Sequence, residues 1–220
     1  MAYAYLDFEA NKSDVFYLAG QKINGVFQQT VLHEGLLPLA SQKGMDASSP
    51  EAFAATFLET CLTQACTIAA YSTAEASYLR RLLSNEQRNR FAKIPYLNLR
   101  KSARRWANSH HYSDVRMLPK LNKKLPGTQT FALASLMRLT DFPPPRSYAF
   151  GHTTARFNAV ISALKLREAD YSKLTPVQKA KATNALAHNR FDVEAMEVLN
   201  EVIAATDARL IGDATAPLFN

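Results

Sequence analysis

The chain has 220 residues, 47% of them hydrophobic, which is enough for one domain with a full core and is the content of an ordinary globular protein. It carries a formal charge of +7 with a pI near 9.4, and the excess is localised, which favours a polyanionic partner. Nothing approaches the uninterrupted apolar run of a membrane-spanning helix, and the opening MAYAYLDFEA lacks the basic-then-apolar layout of a signal peptide, so a cytoplasmic protein with no membrane partner is expected.

In chain order, residues 3–9 read as an apolar strand and 14–23 as a second. Asn24-Gly25 follows, then a third run, Val26 to Leu32. Asn-Gly between two strand-like runs is a strong hairpin signal, so three antiparallel strands open the chain. Ser41 to Ser49 reads as a polar loop. Ser49-Pro50-Glu51 supplies an N-cap, a proline at the first helical position and an early acid, and predicts a helix to about Gln64 buried along Phe53, Phe57, Leu58, Cys61 and Leu62. Thr67 to Tyr71 is a short buried strand, followed by a helix from Thr73 to Leu83. Cys61 and Cys66 read as packing residues in a reducing compartment, since no other cysteine offers a partner.

The middle, 85–140, reads as mainly helical with breaks at Pro95, Ser109 to Tyr112 and Leu125-Pro126-Gly127. Asp141-Phe142-Pro143-Pro144-Pro145 is a stiff loop inside the domain. Thr175-Pro176-Val177-Gln178 is a capping box that opens a long helix to about Ala205, with Val177, Ala180, Leu186, Phe191, Met196, Leu199 and Ile203 toward the core. One domain over 1–206 and a frayed tail over 207–220 are expected. The element order is that of an α/β protein with a ribonuclease H-like mixed sheet, three N-terminal antiparallel strands plus further strands, flanked by helices.

Two constellations carry chemistry. Side chains two apart on a strand share a face, so Asp7 and Glu9 present their carboxylates to one space; side chains four apart on a helix do the same, so His188 and Asp192 form a second cluster. Clustered carboxylates repel one another unless a cation sits between them, and two divalent ions bracketing a phosphate stabilise the attacking and leaving oxygens of phosphodiester cleavage. The basic excess falls between Arg80 and Lys124, with Arg100, Lys101, Arg104 and Arg105 at its centre and Phe91, Tyr96, Trp106 and Tyr112 interleaved. It reads either as a phosphate-tracking groove with stacking aromatics or as a solvated helical face. His110-His111 are loop residues without ligand spacing, and His33 and His152 carry no pattern. Serine-hydrolase and phosphate-loop chemistry are excluded, because the 7 glycines are scattered and no Gly-x-Ser-x-Gly occurs.

Asp7-Phe8-Glu9, then Tyr71-Ser72-Thr73-Ala74-Glu75 with Leu79, then His188-Asn189-Arg190-Phe191-Asp192-Val193 resemble, in order, the three motifs of the DEDD exonuclease superfamily, most closely its YprB-type ribonuclease H-like family. Tyr112 to Leu118 and Thr130 to Leu136 are similar to that family's intervening segments, and the resemblance spans roughly residues 3 to 203. It implies a metal-dependent 3′→5′ exonuclease on single-stranded nucleic acid, DNA slightly preferred over RNA, using two Mg²⁺ or Mn²⁺ ions. By the same resemblance Asp7, Glu9, Glu75 and Asp192 hold the metals, with Asp114 as the alternative to Glu75, and His188 holds or deprotonates the attacking water. Arg190 and the basic stretch would neutralise phosphate. Motif two of the superfamily normally supplies Asp, and its base is Tyr four residues before the last acid or His five before; here Glu75 and His188, four before Asp192, depart from that pattern. A degenerate nucleic-acid-binding adaptor and a small-nucleotide phosphodiesterase are the alternatives. A helicase, a polymerase or a defence system is the kind of partner such a domain serves.

Overall fold

Alternation in Tyr3–Ala10 builds the central strand, β1. Ala4, Leu6 and Phe8 enter one apolar cluster, while Tyr5 enters another and shares its face with Asp7 and Glu9. The computed structural model describes residues 2–122, 131–148, 152–212 and 214–217. Strands β2 (Phe16–Ile23) and β3 (Val26–Val31) follow as an antiparallel meander. Asn24 and Gly25 turn it with φ of 50° and 77°, the left-handed pair that a tight hairpin needs.

Leu37–Lys43 forms helix α1, with a proline in its first turn and Gly44 closing it at φ 61°; Asp46–Ala47, β4, then pairs in parallel with β3. The expected polar loop at 41–49 therefore begins with the last turn of α1 and contains the short edge strand β4, and Pro38 and Gly44 are the start and stop signals of the helix. Helix α2 (Pro50–Thr63) is capped by the Ser49 hydroxyl and buries Phe53, Ala54, Phe57, Leu58 and Cys61, each large side chain worth about 1.5–3 kcal/mol of burial. Both cysteines are buried and unbonded to each other.

Strand β5 (Thr67–Ala70) runs parallel to β1 and leads into helix α3 (Ala74–Leu82); helix α4 (Asn85–Phe91) follows. Next comes β6 (Pro95–Asn98), parallel to β5, in a region expected to be helical. A run of four residues, of which Tyr96 and Leu97 are buried, carries no periodicity to separate strand from helix, and a proline at the first residue of a strand is tolerated. Helices α5 (Leu99–His110), α6 (Tyr112–Asn122), α7 (Leu133–Leu136) and α8 (Thr153–Lys165) precede the 32-residue α9 (Pro176–Asp207), whose Thr175 and Gln178 form the expected reciprocal cap.

Two expectations for the C-terminal region are corrected. Val177 and Ala180 of α9 are exposed, and the buried stripe runs instead through Ala182, Ala185, His188, Asn189, Phe191, Val193, Met196, Leu199 and Ile203. The segment expected as a frayed tail carries α10 (Arg209–Gly212) and β7 (Thr215–Pro217), which pairs antiparallel with β6. The break expected at Leu125-Pro126-Gly127, the charges Lys123 and Lys124, and Thr130 lie outside the described residues.

Among the described residues the seven strands form one mixed sheet in the order β4-β3-β2-β1-β5-β6-β7. The fold is thus α/β, with three N-terminal antiparallel strands and helices on both faces, consistent with a ribonuclease H-like arrangement. Residues of α2 and α3 pack on one face; α5 and the second half of α9 cover the other, and α8 joins the first half of α9 over β2 and β3. Because β1, β5 and β6 are parallel, their C-terminal ends share one edge, where α3 and α5 begin. No helix among the described residues is long and apolar enough to cross a membrane.

Candidate metal centre

The C-terminal end of β1 is covered by α9, and three polar residues, His188, Asn189 and Asn200, interrupt the apolar stripe of that helix. Asp7, Gly20 and Gln29 lie side by side across β1, β2 and β3. Asn189, fully buried, settles over this row. Its amide donates to Asp7 Oδ2 at 2.8 Å, and its Oδ1 accepts from Gln29 Nε2 at 2.9 Å. A Cβ on Gly20 would stand 2.2 Å from Asn189 Oδ1, so only glycine lets α9 come this close.

Beside Asp7, Glu9 lies against Thr153 of α8, and its Oε1 is buried without a hydrogen-bond partner. His188 Nε2 faces Asp192 Oδ2 at 3.2 Å, and its Nδ1 is likewise buried without a partner. Ligand atoms of Glu9, His188 and Asp192 all lie within 4.8 Å of one another. Glu75, in the first turn of α3, is buried and accepts a hydrogen bond from Ser72 Oγ at 3.1 Å.

The charges are held against their own repulsion. Burial, then the neighbouring Glu9, Asp192 and Glu75 carboxylates, push Asp7 far above the usual carboxylate range, partly offset by Asn189. Burial raises Glu9 to about 8; His188 and Arg156 offset part of that, while Asp192 adds to it. Burial also raises Glu75 to about 7 against its hydrogen bonds to Ser72. For His188, burial acts downward, but the hydrogen bond and charge of Asp192, with Glu9 behind it, outweigh burial and the net shift is upward.

All five expected site residues therefore meet at one edge of the sheet, drawn from β1, α3 and α9. Asp114 does not join them: its carboxylate is exposed and lies 3.6 Å from His111 Nδ1. The tightest convergence is Glu9, His188 and Asp192 rather than four acids, with Asp7 turned toward Asn189. Clustered, mutually repelling carboxylates, with the Glu9 Oε1 orphaned among them, fit a divalent cation that takes oxygen ligands, such as Mg²⁺ or Mn²⁺.

The basic stretch divides. Arg81 pairs with Asp14, Arg90 with Glu59, and Arg88 donates to the Arg80 carbonyl and Asn85, so these cations serve the α3–α4 surface. Arg100, Lys101, Arg104 and Arg105 on the exposed face of α5 line a cavity of about 490 Å³ with Asn98, Asn108 and Phe131. The Arg104 guanidinium lies 5.4 Å from the centre of the Phe131 ring. Phe91, Tyr96 and Trp106 are buried, whereas Tyr112 is exposed. Arg190 stands apart from the carboxylates, pairing with Glu194 and lying over Phe27.

Sequence reasoning missed the residues that hold the acids in place: Asn189, Gln29, Gly20, Thr153, Ser72 and Tyr148. Asn189 and Ser72 lie inside the recognised motifs and are legible as polar neighbours of the acids. Gln29, Thr153 and Tyr148 reach the site only through folding. Comparison of the chain with protein-family models, with curated proteins and with solved structures finds no match.

Proposed function

We propose that the protein is a metal-dependent 3′→5′ exonuclease of the DEDD type, hydrolysing single-stranded nucleic acid, DNA in preference to RNA, in a cytoplasmic setting. The observation that carries this reading is the convergence of Asp7, Glu9, Glu75 and Asp192 on one site, Glu75 buried and the other three half-buried, with Asn189, Ser72, Tyr148 and His188 as hydrogen-bond partners. Ionised, such a set repels itself; protons relieve that at low pH, and a bound cation would do so at neutral pH.

Asp7, Glu9, Glu75 and Asp192 would hold Mg²⁺ or Mn²⁺, and the ions would supply charge for the attacking and leaving oxygens of the phosphodiester. Asp7 is kept in register by Asn189. His188, held by Asp192, takes or orients the proton of the attacking water at its ring nitrogen. Tyr71 stands beside the basic cavity, its carbonyl accepting from the Arg100 backbone N–H at 3.0 Å and its hydroxyl donating to the Phe131 carbonyl. A strand whose end lies at the acids would pass over Tyr71 onto Arg100, Lys101 and Arg104, with a base within reach of Phe131.

One observation favours a second reading, a nucleic-acid-binding module without turnover: His188 Nε2 is already engaged by Asp192. The separating experiment incubates the protein with 3′- and 5′-labelled DNA and RNA oligonucleotides in Mn²⁺, Mg²⁺ or EDTA. A metal-dependent ladder that erodes the 3′ label first is expected. Salt-sensitive binding with no cleavage in either metal would replace the exonuclease by the binding module.

A further inference from the structure

Tyr148 lies in the segment between α7 and α8, far in sequence from every motif, yet it makes two contacts with the metal centre. Its hydroxyl donates to Asp192 Oδ1 at 2.8 Å. Its ring lies flat on the His188 imidazole, with centroids 3.9 Å apart and planes 12° from parallel. His188 Nε2 faces the other Asp192 oxygen, Oδ2, so the phenol and the imidazole each take one oxygen of the same carboxylate.

The surroundings fix the tyrosine. Phe191 meets it edge-on at 5.0 Å, and Phe142 stacks on Phe191 at 5.5 Å with planes 1° apart. Pro143, Pro144 and Pro145 restrict φ in the segment that leads to it. Arg156 of α8 donates to the carbonyl of the preceding residue, Ser147, at 3.1 Å. A ring stacked on His188 and met by Phe191 in a T-shaped contact has few rotamers, and it transmits that order to whatever it touches.

We propose that Tyr148 is a positioning residue for the metal centre. It turns the Asp192 carboxylate so that Oδ2 points toward His188 and Glu9, and it holds the plane of the His188 ring. The inference rests on the reading of this site as a divalent-metal centre. A hydrogen bond to the non-ligating oxygen of a metal carboxylate sets its orientation, and losing such a partner costs about 10–100-fold in metal affinity. The two contacts are separable, since phenylalanine keeps the stack and removes the hydroxyl, whereas alanine removes both.

The experiment is Mn²⁺ binding to the full chain by titration calorimetry, for the parent, Tyr148→Phe, Tyr148→Ala and Asp192→Asn. Tyr148→Phe is expected to keep the parent's thermal unfolding profile and bind Mn²⁺ about 10–100-fold more weakly. Its oligonucleotide cleavage is expected to recover at saturating Mn²⁺ with KM for the oligonucleotide unchanged. Tyr148→Ala is expected to stay slow at saturating Mn²⁺, because the His188 ring is no longer held. Parent-like Mn²⁺ affinity in Tyr148→Phe, while Asp192→Asn loses binding, would overturn the role of Tyr148 and leave the metal centre standing. A parent that binds no Mn²⁺ would remove the metal-centre reading and this inference with it.

Discussion

The acidic cluster and the basic cavity lie along one edge of the sheet, and they are built on opposite terms. Glu75 is buried, Asp7 and Glu9 are half-buried, and all three are raised in pKa, so in ionised form they work against the fold that contains them. Arg100, Lys101, Arg104 and Arg105 sit on the outer face of α5 while Leu99, Ala103 and Trp106 anchor its inner face, so their charge costs the fold little. A solvated basic face needs no function to explain it. Clustered repelling acids invite one, and the cation proposed for them would supply it.

The largest effect separating the two regions is on turnover. Asp7→Asn and Asp192→Asn are each expected to lower kcat by on the order of 10²–10³-fold or more. Cleavage of a 3′-labelled oligonucleotide measures this, and binding of the same oligonucleotide in EDTA should survive. Retained turnover in both variants would dissolve the site assignment.

The next effect is on stability. Glu9 and Glu75 rise from 4.5 to about 8 and about 7, so the folded protein holds their protons more tightly than the unfolded chain does. The stability they contribute is full below their unfolded values and is lost as pH climbs through 7 and 8. Metal-free protein is therefore expected to show a falling Tm from about pH 5 to about pH 9, with Mn²⁺ restoring the high-pH value. Calorimetric melts across that range, with and without Mn²⁺, test it. A flat or rising metal-free profile would mean that these acids are compensated.

Gly20→Ala probes the close approach of α9 to the sheet. Its methyl would stand 2.2 Å from Asn189 Oδ1, so Asn189 must move off Asp7. A loss of about 1–3 kcal/mol in denaturant unfolding is expected, together with weaker Mn²⁺ binding. Ordinary stability and metal affinity would show that the row Asp7, Gly20, Gln29 tolerates a wider gap.

The smallest effect belongs to the cavity. Replacing Lys101 and Arg104 together by alanine is expected to reduce the slope of log K against log salt for a single-stranded oligonucleotide by roughly 1.4, as for two lost phosphate contacts. Arg190→Ala, which faces Glu194 and Phe27, should leave that slope unchanged. Equal slopes in parent and double variant would assign the α5 face to solvent.

Much of this arrangement is legible in the sequence where a short-range rule applies. Alternation puts Asp7 and Glu9 on one face, helical spacing puts His188 and Asp192 on another, and the Asn24-Gly25 and Thr175-Gln178 signals mark real turns and caps. What short-range rules miss is settled by contacts made across the chain. β6 is too brief to show a period, β7 is held by pairing with β6, and Val177 is exposed because the covered face of α9 begins along Gln178, Ala182 and Ala185. At the site, the acids are readable because their residue types are costly to bury. Thr153 and Tyr148 are ordinary until α8 and the loop before it bring them to Glu9 and Asp192.

The most direct measurement is anomalous diffraction from a crystal of the protein equilibrated with Mn²⁺. Strong peaks bounded by Glu9, His188 and Asp192, with Asp7 and Glu75 alongside, are expected. Continuous density without an anomalous peak among these residues at saturating Mn²⁺ would contradict the metal centre.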